Sequence, residues 1–141
     1  MEAIAARPAW TFAQKGIVVL AGALLLWSIA GLIAEPSFST AADAPTERVL
    51  WVDFNGWHAL SGFLLFGPAF YFALRPAWAV AYALIAGASL VLTSIWIALS
   101  TEALFVLTLP NNETDAVFHL ASGLAFLGVA AIQLTRDRSQ E

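Results

Sequence analysis

Long uncharged apolar stretches alternate with short charged clusters along this chain. Gly16–Ala34 runs for 19 residues between Lys15 and Glu35, and Phe54–Leu74 for 21 between Asp53 and Arg75. Ala77–Ser100 adds 24 residues, ending just before Glu102, and Ala116–Leu134 another 19 between Asp115 and Arg136. A membrane-spanning helix needs about 20 apolar residues. Inside lipid the backbone must satisfy its own hydrogen bonds, so such stretches form helices. The period-two alternation of a membrane β-barrel is absent. The pattern predicts an all-α integral membrane protein of one domain over residues 1–141. Its spans fall at about 16–34, 54–74, 77–100 and 116–134, in an up-down bundle. The first stretch is longer than the apolar core of a cleaved signal peptide, roughly 7–15 residues, and is expected to be retained.

The connections carry the charge, and they sort it by sign. Arg7 and Lys15 precede the first span, Arg75 lies between the second and third, and Arg136 and Arg138 follow the fourth. Only Arg48 falls on the other side, together with Glu35, Asp43, Glu47, Asp53, Glu102, Glu113 and Asp115. The excess of basic residues marks the cytoplasmic side. Both termini are therefore expected in the cytoplasm of a bacterial inner membrane, with residues 35–53 and 101–115 as outer loops. Arg75-Pro76 makes the second and third spans antiparallel neighbours. Residues 103–109 are apolar but too short to cross, so they either extend the third helix or lie in the interface. Pro68, after Gly67, is expected to kink the second helix. Trp51, Trp57, Trp78 and Phe118 read as membrane-interface residues, and Gly22, Gly31, Gly87 and Gly128 as helix contacts.

Composition narrows the function classes. The chain is 60% hydrophobic and 11% charged, against roughly 25% charged in a soluble domain. Its net charge of −4 leaves no basic face for nucleic acid. With no cysteine it has no thiolate nucleophile, disulfide or Cys-based metal site. The expected partners are the lipid bilayer and other membrane subunits or further copies of the chain.

Both histidines sit in the same local pattern. Trp57-His58-Ala59-Leu60-Ser61-Gly62 is followed five residues later by Gly67, and Phe118-His119-Leu120-Ala121-Ser122-Gly123 by Gly128. The shared aromatic-H-x-x-S-G-x-x-x-x-G suggests two helical hairpins related as parallel repeats. Each histidine falls near the outer end of its helix. Asp115, His119 and Gly123 share one face, and Phe54, His58 and Gly62 share another, by i, i+4 spacing.

Ionisable side chains inside a membrane are the first place to look for chemistry. One reading is a tetrapyrrole, haem or chlorophyll, ligated by His58 and His119, with Gly62 and Gly123 leaving room for the macrocycle. Another is a metal or proton site in an oligomeric transporter, formed by His58, His119 and a carboxylate, Asp115 or Asp53. The plainer reading is structural: each histidine bonds a loop carbonyl, a lipid headgroup or its twin, and Asp53 and Asp115 serve as helix N-caps. Ser61 and Ser122, three residues from a histidine, lack the strained elbow and oxyanion site of a nucleophile. The leading expectation is a non-catalytic accessory or packing subunit of a larger membrane complex.

The stretches VDFNGWHALSGFLLF and LTLPNNETDAVFHLASGLAFL resemble a bacterial family of small four-helix membrane proteins described only as a domain of unknown function. Asn55, Trp57 and His58 match its pattern in the first copy, and Asp115, Phe118 and His119 in the second. The resemblance covers roughly residues 15–135. It implies four helices and repeated histidines, and no activity, substrate or cofactor.

Overall fold

A computed structural model describes residues 9–39, 45–99 and 112–140. Arg7, Asp43, Glu102 and the apolar stretch 103–109 lie outside the described residues. The elements run α1 (Phe12–Ala34), β1 (Glu47–Val49), β2 (Val52–Phe54), α2 (Gly56–Phe66), α3 (Ala69–Phe72), α4 (Pro76–Leu99) and α5 (Glu113–Arg138). Among the described residues three helices, α1, α4 and α5, are long and apolar enough to cross a membrane.

The stretch expected as one span over 54–74 instead forms two helices. Pro68 has no N–H to continue the ladder, and Phe70 N bonds Gly67 O at 3.4 Å. The backbone stays right-handed helical through Gly67 (φ −55, ψ −46) and Pro68 (φ −60, ψ −21). Tyr82 of α4 meets the break from the side: its hydroxyl donates to Leu65 O at 2.6 Å.

The outer loop 35–53 is also more structured than its composition suggests. β1 and β2 pair antiparallel, Arg48 opposite Asp53 and Val49 opposite Val52. This adds a small hairpin to an architecture expected to be all-α. Leu50 turns the hairpin with φ 60, a left-handed conformation unusual for a side chain of its kind. Leu50 and Trp51 project from the tip, 65% and 68% exposed.

Helix α1 packs against α2, α3, α4 and α5, and α4 with α5 makes the most extensive pair. The main core is built of small residues, Ala13, Ala21, Ala79, Ala83, Ala86 and Ala130, around Ile17 and Phe126. Where α4 crosses α5 the backbones nearly touch. A Cβ built on Gly87 would stand 2.9 Å from Gly123 O, and one on Gly123 would stand 2.9 Å from Gly87 O. Gly31 packs under the Phe54 ring, and Gly22 makes only an ordinary contact with Phe70. Gly128, expected as a helix contact, faces open space with nothing within 4 Å.

Neutral amides fasten one end of the bundle. Thr11 and Gln14 form a capping box at the start of α1. Gln14 Nε2 also donates to Ala73 O at 2.7 Å, and Gln133 Oε1 accepts from Ala13 N at 3.1 Å. The Arg136 guanidinium lies 4.5 Å over the Phe12 ring. These contacts gather Lys15, Arg75, Arg136 and Arg138 at this end. Glu35, Glu47, Asp53, Glu113 and Asp115 lie at the other end, with the hairpin, while Asp137 stays with the basic residues.

Candidate functional site

At the hairpin end, two asparagines start the helices that carry the histidines. Asn55 caps α2 from an extended conformation, its side chain accepting from His58 N at 2.9 Å. Asn112 caps α5 in the same way, accepting from Asp115 N at 2.9 Å. Asp53 and Asp115, expected as caps, are displaced from that role. The asparagine sits three residues before the capped N–H in both helices, the spacing an Asx cap requires. Helix α5 starts one turn earlier relative to its histidine than α2 does. As a result Asp115 occupies the cap-relative position that His58 holds in α2.

The two aspartates then part company. Asp53 turns outward to a bidentate pair with Arg48, at 2.7 Å from Nε and 3.2 Å from Nη2. It also accepts from Asn112 Nδ2 at 2.8 Å. The Arg48 guanidinium holds the Asp53 carboxyl below its ordinary range, with Asn112 adding to the effect and partial burial opposing it. The pair is solvent-screened, so its value is positional. It ties the hairpin to the cap of α5.

Asp115 turns inward and is 2% exposed. Its Oδ1 lies 3.9 Å from His58 Nε2 and 3.1 Å from His119 Nδ1. Among the described residues, no hydrogen bond of acceptable geometry reaches that oxygen. One donor atom from each of His58, Asp115 and His119 falls within 4.8 Å of the others. Both imidazoles are held by backbone carbonyls: His58 Nδ1 lies 3.0 Å from Asp53 O, and His119 Nδ1 lies 2.9 Å from Asp115 O. A carbonyl only accepts, so each Nδ1 carries the hydrogen, which in the neutral imidazole leaves the lone pair on Nε2.

Aromatic rings wall the cluster. His58 stacks on Phe54 with centroids 4.5 Å apart, and the His119 ring lies near-parallel to it at 5.9 Å. Trp27 meets Phe118 edge-on at 4.0 Å, and its Nε1 donates to Val49 O. Phe118 and Trp27 thus pack against a second core of Val52, Phe54 and Ala59. This is a packing role for Phe118 where the sequence suggested an interface one. Trp57 bonds Phe38 O and meets the Phe38 ring edge-on, while Trp78 lies under the Arg75 guanidinium.

Residues 14–132 match the family described as Domain of unknown function (DUF4383). The chain belongs to this family. The match spans the whole cluster, from Asp53 to His119. No curated protein and no solved structure matches the chain.

The geometry of this DUF4383 chain discriminates between the ligands its sequence left open. A bis-His tetrapyrrole needs imidazoles approaching end-on from opposite faces of the macrocycle. Here the rings stack face to face, with the Asp115 carboxylate against both. Gly62 is packed against Ser28 of α1, and Gly123 against Gly87 and Val91 of α4. Neither glycine faces a slot, so the arrangement suits one small ion better than a planar cofactor. Of the two carboxylates the sequence offered beside the histidines, Asp115 joins the cluster and Asp53 does not. Ser61 donates to His58 O within its own helix. Ser122 lines an apolar groove between α1 and α5, with Leu20, Trp27 and Phe118. Sequence reasoning missed Asn112 as a cap and missed Ser94, whose hydroxyl donates to Ala116 O at 2.7 Å beside the cluster. The visible signal was Asn112-x-x-Asp115, the same spacing as Asn55-x-x-His58.

Proposed function

We propose that this chain is a non-catalytic, four-span protein of a bacterial inner membrane, with both termini cytoplasmic, acting as an accessory or packing subunit of a larger membrane assembly. The observation that carries this reading is the distribution of size across the bundle. Alanines and glycines fill the interior, while Val19, Leu26, Ile33, Ile85, Leu92 and Leu124 point outward. Small residues inside allow close helix approach where water supplies no driving force. Large apolar residues outside suit lipid or neighbouring helices.

In this reading α2 and α3 together supply the remaining crossing. Gly56 to Phe72 with an unbroken helical sense reaches about 26 Å at 1.5 Å per residue, close to the roughly 30 Å hydrocarbon core. The basic end is assigned to the cytoplasm by its arginines and lysine. Extraction from the native membrane in a mild detergent, followed by native mass spectrometry, tests the subunit role. A fixed stoichiometric complex with other membrane proteins is expected. A population of lone monomers under those conditions would overturn it.

A further inference from the structure

The geometry points to a divalent transition-metal site of the zinc class, formed by His58, Asp115 and His119, which staples the start of α2 to the start of α5. This goes beyond the subunit reading and does not depend on it. Three independent features support it.

The first is the donor set. Two neutral imidazoles and one carboxylate, with open positions for water, are ligands for Zn²⁺ and its first-row neighbours. Donor atoms on one such ion, with bonds of about 2.1 Å, sit roughly 3–3.5 Å apart. Asp115 Oδ1 and His58 Nε2 stand 3.9 Å apart, just beyond that range. The full spread of 4.8 Å is within reach of small side-chain rotations.

The second is the way the histidines are held. Ligating histidines characteristically donate their other ring N–H to a carbonyl or carboxylate, which fixes the tautomer and aims the lone pair. Both Nδ1 atoms here rest on backbone carbonyls, Asp53 O and Asp115 O. The Phe54 ring stacked on His58 further restricts its rotation.

The third is the orphaned oxygen. Asp115 Oδ1 is buried, carries no aligned hydrogen bond, and faces both imidazoles. Leaving a buried acceptor unsatisfied is costly, more so for a charged group. The opposite end of the bundle handles buried polar groups differently. There Gln14 and Gln133 are neutral and each makes hydrogen bonds with both its carbonyl and its amide. A cation beside Asp115 supplies the missing partner and compensates the charge.

The test uses the full, tag-free chain in nanodiscs. It is stripped with a chelator, loaded with Zn²⁺, passed through a desalting column and assayed for zinc per chain. The wild type is expected to retain one equivalent, and Glu113→Gln, on the exposed face of the same helix turn, to retain the same. Asp115→Asn and His58→Ala are expected to weaken retention more than about tenfold. Co²⁺ loaded in place of Zn²⁺ should give visible ligand-field bands that both variants lose. Because a variant can fail by misfolding, the wild type is also melted with and without the metal. Zn²⁺ should raise its midpoint and Mg²⁺ should not. Zinc retention no higher than that of empty nanodiscs, retention undiminished in Asp115→Asn, or a wild-type midpoint indifferent to Zn²⁺ would each overturn the site.

Discussion

Single side chains decide how this bundle copes with buried polarity. At the break between α2 and α3, a proline interrupts the helical ladder and a tyrosine from another helix covers the carbonyl of Leu65. Tyr82→Phe keeps the ring packing against Phe72 and Phe126 and removes only the hydroxyl. The expected loss is about 1 kcal/mol, the scale of one buried side-chain hydrogen bond between membrane helices. Reversible unfolding in mixed micelles measures it, and an unchanged stability would mean that the hydroxyl is not needed at the break. At the acidic end, among the described residues, Asp115 Oδ1 has no aligned hydrogen bond. Tyr82 sits inside an apolar stretch that a composition count treats as uniform, and Asp115 only marks the edge of one. The tyrosine's partner depends on where α4 passes α2, which spacing along one helix does not reveal.

Helices α4 and α5 meet through glycine backbones, and this can be tested by adding one carbon at a time. Gly123→Ala places a Cβ 2.9 Å from Gly87 O and 3.0 Å from Val91 N. Backbone atoms cannot swing aside, so a loss of about 1–3 kcal/mol is expected. Gly128→Ala adds its methyl to open space and should gain up to about 1 kcal/mol of helix propensity. Thermal melts of the two variants should therefore shift in opposite directions; shifts of the same sign would refute the assigned crossing. The long helices were legible in the sequence because an uncharged apolar stretch of about 20 residues matches the thickness of a bilayer. The glycines were legible as a class but not one by one. Gly87 and Gly128 look alike until the crossing point is known. The hairpin was hidden for a different reason. Its strands are only three residues each, and its turn is made by Leu50 in a conformation that turn chemistry reserves for Gly or Asn. The histidine cluster was half legible. Repeat and spacing singled out His58, His119 and Asp115, while the cap preference of aspartate drew attention away from Asn55 and Asn112.

Over the whole molecule the two ends are built from different chemistry. Neutral glutamine clamps and arginine–aromatic contacts fasten the basic end. The other end carries the hairpin, the Arg48–Asp53 pair and the buried His–Asp–His cluster. That polarity follows from helix directions, and it makes the four-span account testable through the one stretch that is not a single helix. The chain contains no cysteine, so single-cysteine variants report cleanly. Glu47→Cys, before α2, and Leu74→Cys, after α3, flank that stretch, and both parent residues are exposed. The decisive measurement is labelling of the two variants with a membrane-impermeant maleimide in intact cells and in inverted vesicles. Four crossings with cytoplasmic termini predict Glu47→Cys labelled in intact cells and Leu74→Cys labelled only in inverted vesicles. Both positions labelled from the same side would contradict the fourth crossing and the account built on it.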